Sequence, residues 1–513
     1  MIYDDAAMQT SPASTYHSRY SPKREAERHL EASLKGRHPS IIIIVGGGLN
    51  YISAVAHERF PHAVLVSLQP SADFQGQEVF SPVLSWNPSS TASIHDILGI
   101  AFSDNRLAAG VALVSWPPVI THYKPMADTI DVAIREALES ASSDAATTAF
   151  WAARWLHNCV RFILASNRVS TLLPATSPII LACAGPSLSR TIPAIRPLRE
   201  DVSLWALASA VPALLQSGLV PDLVVSTDPG FWNGAHLRQS VEQGLPLVLP
   251  PSSYAQAQIL EGSNLIPLDT GLSFEHASLA ARGCSGLQAL PSGSSAGTAL
   301  RLALSITSGY VAIAGLDLAA EGHKDHASPY AFDTLDTMAE RRELPAYSAR
   351  SNRVLHTFTN TLGSWRTSRA FSVYATSIGV PQADGDRVLR LGDSPVETSI
   401  PRGCIDTLSD ARGIKPCIRY QESDYSMTVP DRRRAADTML TMLADRAIQQ
   451  VHEALAESRP VAYEASLLWK ALAPRQSASF LADAARGEAI INEAKAIDAS
   501  VRLAARLLSG AEP

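Results

Sequence analysis

Apolar and polar positions alternate in blocks along the chain, and the first blocks predict a strand–helix–strand unit. The polar residues 1–38 contain one predicted helix over PKREAERHLEASL. An apolar strand (Ile41–Val45), a three-glycine turn (Gly46–Gly48), a helix and a second strand (Ala63–Leu68) follow it. This order is typical of a βαβ unit, and such units build parallel sheets.

The rest of the chain continues this pattern and then changes. Residues 125–168 lack glycine and are rich in Ala and Arg, which indicates helices that link two α/β segments. The second α/β segment runs to about residue 410, and beyond about residue 430 the pattern is purely helical. The strands predicted in the second segment are Ile179–Cys183, Leu204–Leu207, Leu223–Ser226, Leu247–Leu249 and Tyr310–Ala314.

We therefore predict an α/β protein with four segments. They are an N-terminal α/β domain (1–124), a helical linker (125–174), a central α/β domain (175–412) and a C-terminal helical domain (425–513). The length of 513 residues agrees with about three folded domains.

Composition and charge exclude several classes of protein. With 46% hydrophobic residues the chain is globular, but no apolar run reaches the roughly 18 residues that span a bilayer. Nor does the N-terminus have the basic and then apolar order of a signal peptide. Five dispersed cysteines without Cys-x-x-Cys spacing predict neither disulfides nor a zinc site, and they favour the cytoplasm. The net charge of −6 argues against a nucleic-acid partner.

Two glycine-containing turns follow predicted strands. In VGGGLNY (45–51), a dinucleotide fingerprint would require glycine at Tyr51, and the next strand ends in Gln69 instead of an acid. We therefore interpret this segment as a structural turn and not as an anion site. The second turn, Ala184–Ser187, joins a buried strand to a helix, where free amides and a hydroxyl can cradle a phosphate. A plain turn is the alternative there.

Further polar groups come at the ends of strands or the starts of helices. Asp228 follows a strand, where an acid can bind ribose hydroxyls or simply begin an Asp-Pro turn. A lone carboxylate does not predict a metal. Ser294 and Ser295 begin an Ala/Leu-rich helix, either as caps or as part of a ligand site.

The segment after the last predicted strand carries titratable side chains. The strand ends at Asp317, and the loop beyond it contains His323, His326 and Tyr330. The His-x-x-His spacing gives only weak support for a metal, whereas a phenol can stabilise a leaving phosphate by hydrogen bonding. His356 follows farther along the chain. A histidine can accept a proton near neutral pH, although a lone histidine more often has a surface or packing role than a catalytic one.

Taken in order, PIILACAGPSL, GLVPDLVVSTDP, LPSGSSAGTALRLAL and YVAIAGLDLAAEGHKDHA resemble the central domain of the motility accessory factor (Maf) family of flagellin glycosyltransferases. The same segments are similar to bacterial lipooligosaccharide sialyltransferases, which carry a comparable Gly-Pro-Ser loop and a Tyr-Ala-Phe-Asp stretch (Tyr330–Asp333 here). The resemblance is loose over 15–410 and most specific over 178–334. It implies a Rossmann-like central glycosyltransferase domain.

The resemblance also implies a reaction and its residues. A nonulosonic acid of the sialic, pseudaminic or legionaminic type would pass from a CMP-activated donor to Ser or Thr of flagellin, without a metal or other cofactor. Tyr330 would contact the donor phosphate, and either His356 or His326 would act as the base. The residues implied to bind the donor are Ala184, Gly185, Pro186, Ser187, Asp228, Ser294, Ser295 and Asp317.

Two alternatives stay open. A pterin or nucleotide pyrophosphokinase would share the glycine loop and the Asp-Pro segment but would need a magnesium site, and clustered acids are scarce here. A non-catalytic flagellin-binding protein would keep the fold and bind flagellin without transferring a sugar.

Overall fold

The computed structural model describes residues 15–102, 110–290, 294–343, 345–409, 413–420, 427–457 and 463–472. It divides into two compact units, one from Met1–Ala153 with Thr441–Pro513 and one from Arg154–Leu440. The four domain limits expected from the sequence stay a prediction. Most of the expected C-terminal helical domain, including residues 473–513, lies outside the described residues.

The first unit contains a parallel sheet with the strand–helix–strand beginning that the sequence predicted. Its sheet has the order β3-β2-β1-β4, and the central strand β1 is buried along its whole length. The elements up to the division are α1 (Pro22–Leu34), β1 (Ile41–Val45), α2 (Tyr51–Arg59), β2 (Val64–Leu68), β3 (Leu84–Trp86), α3 (Ile94–Phe102), β4 (Val111–Ser115), α4 (Pro117–His122) and most of α5 (Lys124–Ala165).

The three-glycine turn after β1 is closed by the protein's own side chains. The Gly48 amide donates to Gln69 Oε1 (3.2 Å), and the Gln69 amide group donates back to the Gly48 carbonyl (2.7 Å). The next amide, that of Leu49, donates to Nε2 of His17 (3.0 Å). Amides that could have faced an anion therefore already have acceptors, which agrees with the interpretation of a structural turn.

His17 is held as a neutral acceptor in this arrangement. Its ring stacks on Trp116, with 5.6 Å between ring centroids and 14° between ring planes. Burial lowers the pKa of His17 to about 4. A protonated ring could not accept the hydrogen bond from Leu49, so folding favours the neutral form.

The second unit contains a ten-stranded sheet and a small antiparallel sheet of the order β13-β15-β14. Its elements are the end of α5, β5 (Arg168–Leu172), β6 (Ile179–Ala182), α6 (Leu188–Ile195), β7 (Ser203–Leu207), α7 (Val211–Gln216), β8 (Leu223–Val225), α8 (Asn233–Glu242), β9 (Leu247–Leu249), α9 (Ala257–Gly262), β10 (Asn264–Asp269), α10 (Ser273–Arg282), β11 (Leu287–Gln288), α11 (Ser295–Ile306), β12 (Val311–Ala314), β13 (Ala320–Glu321), α12 (Asp333–Met338), α13 (Ala346–Thr357), β14 (Asn360–Leu362), β15 (Trp365–Thr367), α14 (Arg369–Ser377), β16 (Val388–Leu391), β17 (Ile418–Tyr420) and the start of α15 (Val429–Glu457). The helix α16 (Tyr463–Leu472) belongs to the first unit.

The large sheet is covered on both faces. Along β6, Ile180 and Ala182 pack into one apolar core, while Ile179 and Leu181 pack into another on the opposite face. Strands buried on both faces read as continuous apolar runs, which is why the sequence predicted β6, β8 and β12 well. None of the helices within the described residues is long and apolar enough to cross a bilayer.

The order of this sheet reverses beside β6. Nine strands follow the path β16-β12-β6-β7-β8-β9-β10-β5-β17, and the tenth, β11, pairs with β10 off this path; pairing is parallel except for β17. The chain proceeds outward from β6 through β10 on one side and later returns to the other side of β6 with β12. In open α/β sheets, ligands bind at the carboxyl ends of the strands where the order reverses. This rule points to the crevice between the ends of β6 and β12.

We expect the first unit to lose stability in acid through His17. The unfolded ring binds a proton below about pH 6.5, whereas the folded ring resists protonation down to about pH 4. The stabilisation is therefore complete above pH 6.5 and is lost as the pH falls, by about 2 kcal/mol at pH 5. In His17→Gln, a side chain whose Oε1 can still accept from Leu49, thermal unfolding at pH 7.5 and pH 5 should differ less than in the wild type.

The matched control is His62→Gln, because His62 is exposed in the same unit. This variant should keep the acid sensitivity of the wild type. An equal acid-induced loss in wild type and His17→Gln would show that His17 does not titrate in this way.

Candidate active site

The crevice at the point of reversal has Ser187 and Asp317 as its floor. Ser187 precedes α6, and Asp317 comes three residues after β12. The Ser187 amide donates to Asp317 Oδ2 (2.7 Å), and its hydroxyl donates to Oδ1 (2.6 Å). Burial raises the pKa of Asp317, and the two hydrogen bonds from Ser187 oppose that rise. One buried carboxyl thus joins the loops that follow two adjacent strands.

Two glycines allow these loops to approach so closely. Gly315 has φ +70°, and a Cβ there would collide with the Cys183 carbonyl oxygen. At Gly185, a Cβ would lie 2.5 Å from the Gly315 carbonyl oxygen, to which the Gly185 amide donates (2.9 Å). Both positions therefore require the absence of a side chain.

The Ala184–Ser187 loop differs in one respect from the open phosphate cradle that the sequence suggested. The amides of Gly185 and Ser187 are already bonded within the protein. Ser187 does not cap α6 with its side chain, since its hydroxyl goes to Asp317. Ala184, Pro186 and Ser187 are buried, so the loop forms the floor of the crevice. Their role in binding a donor stays a prediction.

The loop after β8 presents Asp228 at the same edge. Its Oδ1 accepts from the Gly230 amide (2.7 Å) in a tight turn. The residue is exposed, yet desolvation by the surrounding protein atoms raises the pKa of its carboxyl, against the opposing effect of the Gly230 amide and Arg154. Among the described residues, only Gly230 donates to this carboxylate, so its other oxygen can accept hydroxyls of a ligand.

Two asparagines that sequence reasoning missed hold this loop in place. Asn158 donates to the carbonyls of Pro229 (3.2 Å) and Ser252 (2.8 Å). Asn233 accepts from Ser226 (2.7 Å) and donates to the Tyr254 carbonyl (2.8 Å). Both are nearly fully buried. They carry no motif, and only the pairing of distant segments reveals them.

The two serines at the start of α11 have different roles. Ser294 caps the helix, because its hydroxyl accepts from the Gly297 amide (3.2 Å). The Ser295 hydroxyl lies 2.6 Å from the Thr227 hydroxyl, next to Asp228. The structure therefore brings Ser295 beside the β8 loop, and a role of either serine in binding a donor stays a prediction. Residues 291–293, which precede the cap, lie outside the described residues.

Tyr330 lies within a cluster of rings. Its ring stacks on His326 (centroids 3.9 Å apart, 14° between planes) and contacts His236 (5.4 Å) and Phe332 (5.3 Å). Burial raises the pKa of Tyr330, and neighbouring carboxylates, among them Asp228, add to the rise. The phenol is therefore protonated at neutral pH and can act as a hydrogen-bond donor.

The second ring beside Tyr330, His236, was not singled out from the sequence. It lies on α8, and burial lowers its pKa to about 4, with a further contribution from the nearby His326. A neutral ring at neutral pH can both donate and accept hydrogen bonds. The signal that could have revealed it is its position on the helix that follows Asp228.

Close polar contacts link the segment that carries His326 to α13. Nδ1 of His326 lies 3.2 Å from Asp325, which lies 3.5 Å from Arg353 on α13. Arg353 also pairs with Asp336 (3.2 Å). Burial alone would raise the pKa of Asp325, but His326 and Arg353 together lower it below its ordinary value.

The other expected base is not brought to this cluster by any polar or ring contact. His356 is exposed near the end of α13. Among the described residues it forms no hydrogen bond, ion pair or ring contact with His326, Tyr330 or Asp228. The structure therefore groups His326, but not His356, with Tyr330.

Exposed aromatic rings border Asp228. Phe231 and Trp232 are 59% and 58% exposed, although each directly follows a tightly bonded turn. Phe231 contacts Tyr254 (5.4 Å), and Trp232 contacts Phe332 (5.6 Å). Such rings offer flat apolar surfaces to a base, a sugar ring or an aromatic side chain.

A separate cavity of about 430 Å³ opens at the opposite edge of the sheet. Its lining includes Pro246, Asn264 and Arg168, which precede or begin β9, β10 and β5. These are the amino ends of the strands, so this cavity is not the crevice to which the strand order points.

Among the described residues, no group of three or more His, Cys, Asp or Glu side chains could hold a metal ion.

We expect Gly315→Ala to lower the free energy of unfolding by more than alanine at a positive φ alone would. Alanine at a positive φ costs about 1–2 kcal/mol, and the collision with Cys183 adds about 1–3 kcal/mol of overpacking. Chemical denaturation of the full chain measures the loss. Gly322→Ala is the matched control, because Gly322 has φ +60° but open space around it. Equal losses of unfolding free energy in both variants would mean that the close approach of the loops does not require glycine at position 315.

Comparison with known proteins finds a family model and a relative that are similar to part of the chain. Residues 153–323 match the family described as 6-hydroxymethylpterin diphosphokinase MptE-like. An uncharacterized protein of Treponema pallidum (strain Nichols) is 26% identical over 273 residues. This match covers 53% of the chain and 61% of the relative, so the similarity spans about three fifths of that protein.

A solved structure resembles the chain over nearly its whole length. The Maf glycosyltransferase from Magnetospirillum magneticum AMB-1 matches with a TM-score of 0.51 and 11% sequence identity, covering 98% of this chain and 86% of that one. At this identity the likeness establishes the fold. The prediction of an α/β fold with a Rossmann-like central domain is confirmed, and so, at the level of the fold, is the resemblance to the Maf glycosyltransferases.

Proposed function

We propose that this protein is a glycosyltransferase that moves a nonulosonic acid of the sialic, pseudaminic or legionaminic type from a CMP-activated donor to Ser or Thr of flagellin. The fold of a Maf glycosyltransferase supports the transferase class. The donor, the acceptor and a role in flagellar assembly and motility come from the resemblance in sequence. A cytoplasmic location belongs to the same proposal.

One observation carries this proposal above the others. A protonated phenol (Tyr330), an exposed carboxylate (Asp228) and a hydroxyl pair (Thr227 and Ser295) lie on segments beyond the carboxyl ends of β12 and β8 and at the start of α11. The segments that carry Asp228 and Tyr330 are in contact, because the ring of Trp232 lies 5.6 Å from that of Phe332. Polar groups that converge at such an edge are the usual setting of a nucleotide-linked ligand.

The proposed reaction breaks the bond between the anomeric carbon and the donor phosphate. Negative charge develops on the phosphate as the bond lengthens, and a hydrogen bond from the Tyr330 phenol stabilises that charge. Asp228 would accept hydroxyls of the nucleotide ribose, and the rings of Phe231 and Trp232 offer a surface for the base or sugar. The donor phosphate leaves with the bonding electron pair.

The contacts of His326 fit the phosphate side of this reaction. Its ring stacks on Tyr330, and its Nδ1 lies 3.2 Å from Asp325. His326 therefore packs against the phenol and holds it in place. The resemblance also offered His326 and His356 as the base. His356 is exposed and has no polar or ring contact with this cluster among the described residues, so the proposal gives it no role at the phosphate.

We expect loss of the gene to remove a nonulosonic-acid mass increment from flagellin. The measurement is the intact mass of flagellin from the deletion strain, compared with its parent. Complementation with Asp228→Asn or Tyr330→Phe should restore less than a hundredth of the modification rate, because each removes a group that acts on the donor.

The matched control for the phenol is Tyr347→Phe. Tyr347 is 64% exposed on α13, where its ring contacts His323. This variant should restore full glycosylation. An unchanged flagellin mass in the deletion strain would remove flagellin as the acceptor, and full activity of Tyr330→Phe would remove the phenol from the mechanism.

A second candidate function is favoured by the family match over 153–323, whose description names a pterin diphosphokinase. A pyrophosphokinase transfers a diphosphate from ATP and requires Mg²⁺ at clustered acids. Incubation of the purified full chain with ATP, Mg²⁺ and 6-hydroxymethylpterin tests this candidate directly. We expect no AMP to form, and magnesium-dependent AMP release would favour the kinase over the transferase.

A further inference from the structure

A buried carboxylate and an exposed histidine form a pair at the end of β10 that neither the sequence motifs nor the proposed donor site include. Asp269 is the last residue of β10, and His276 lies in the first turns of α10. Nδ1 of His276 lies 3.0 Å from Oδ2 of Asp269. The Asp269 side chain is 5% exposed, whereas that of His276 is 79% exposed.

The carboxylate of Asp269 is held in one orientation. Its Oδ1 accepts from the Gly271 amide (2.9 Å), and its Oδ2 accepts from the Gln288 side chain (2.8 Å) as well as from His276. Burial would raise the pKa of Asp269, but these contacts together lower it below its ordinary value. Asp269 therefore remains a carboxylate at neutral pH.

This contact determines which nitrogen of His276 is available. Because Nδ1 faces a carboxylate, the neutral ring carries its proton on Nδ1 and leaves the lone pair on Nε2. The exposed ring presents that nitrogen to solvent. A buried carboxylate that orients a histidine in this way is the arrangement by which hydrolases and transferases prepare a general base.

The pair belongs to the same edge as Asp228. The strands β8, β9 and β10 are neighbours in the sheet, so the ends of β8 and β10 lie about 10 Å apart. His276 and Asp228 therefore lie on segments at the same edge of the sheet. Two other histidines near this edge are less accessible than His276, because His326 is covered by Tyr330 on one face and His236 is largely buried.

A second carboxylate joins the two loops rigidly. The buried Glu275, next to His276, accepts from the amide and hydroxyl of Thr270 (2.7 and 2.8 Å) and from the hydroxyl of Ser252. The neighbouring Ser253 hydroxyl donates to the Asp228 carbonyl (3.0 Å). The positions of His276 and Asp228 are thus fixed relative to each other by buried hydrogen bonds.

We propose that His276 is the general base of the glycosyl transfer and that Asp269 is its positioning residue. This inference rests on the proposed function. As the acceptor oxygen forms its bond to the anomeric carbon, its proton passes to Nε2 of His276. The bond from the anomeric carbon to the donor phosphate breaks, and the phosphate leaves with the electron pair toward Tyr330.

The test uses the purified full chain with flagellin of the source organism and a CMP-activated nonulosonic acid, first CMP-N-acetylneuraminic acid and then the pseudaminic and legionaminic analogues. His276→Ala should lower kcat by about 100-fold or more without raising the KM for the donor. Because the site is exposed, added imidazole should restore at least about a tenth of the lost rate. Asp269→Asn should also lower kcat, but imidazole should not rescue it, since the histidine is still present.

The matched control is His95→Ala. His95 pairs with Glu136 at 3.2 Å, but both side chains are more than half exposed and lie in the first unit. It should keep the wild-type kcat. A His276→Ala enzyme with wild-type kcat, or one whose loss imidazole does not restore, overturns the assignment while the proposed function stands.

A failure of the proposed function gives a different result. If the wild type transfers none of the three sugars to flagellin, the donor class is wrong and the base assignment falls with it. The pair itself is checked separately by nitrogen NMR of the imidazole, which should report a proton on Nδ1 of His276 in the wild type and a mixture of tautomers in Asp269→Asn. A mixture already present in the wild type overturns the orienting role of Asp269.

Discussion

The contact between Ser187 and Asp317 is the interaction on which the crevice depends. It joins the loops after β6 and β12, the two strands between which the sheet reverses its order. A carboxyl buried without partners would cost several kcal/mol, so the amide and the hydroxyl of Ser187 must both point at it. That geometry in turn requires Gly185 and Gly315, because a side chain at either would push the loops apart. The floor of the crevice is therefore set by backbone packing, and chemistry is left to the residues around it.

The same principle recurs along the edge of the sheet. Asn158 and Asn233 hold the loop that carries Asp228, and Glu275 joins the loops after β9 and β10. Each uses a buried polar side chain to satisfy backbone groups of a loop that would otherwise lose them on burial. The result is an edge whose reactive groups are held at fixed separations before any ligand arrives. Such preorganisation is what electrostatic catalysis requires.

Sequence reasoning found the parts of this arrangement that depend on local pattern. The strands β6, β8 and β12 are uninterrupted apolar runs, and Asp228 and Asp317 come three residues after β8 and β12. It missed β10, because Pro267 in a central strand argues against strand structure, and β16, because Arg390 interrupts its apolar run. The Arg390 guanidinium is buried and bonded to the Val396 carbonyl, a partner that only the fold supplies. Asn158 and the pair of Asp269 with His276 escaped notice for the same reason, since their partners follow no motif.

The arrangement of groups along the edge also bears on stereochemistry. In a direct displacement the incoming oxygen and the leaving phosphate lie on opposite sides of the anomeric carbon. The base that accepts the proton and the group that donates a hydrogen bond to the phosphate must therefore be separated by the width of a sugar. A single cluster around Tyr330 would crowd both groups onto one side. Parallel strands solve this problem, because successive strand ends present their loops about 4.8 Å apart along a line. Under the proposed function, the ends of different strands would therefore supply the two groups that an inverting transfer needs.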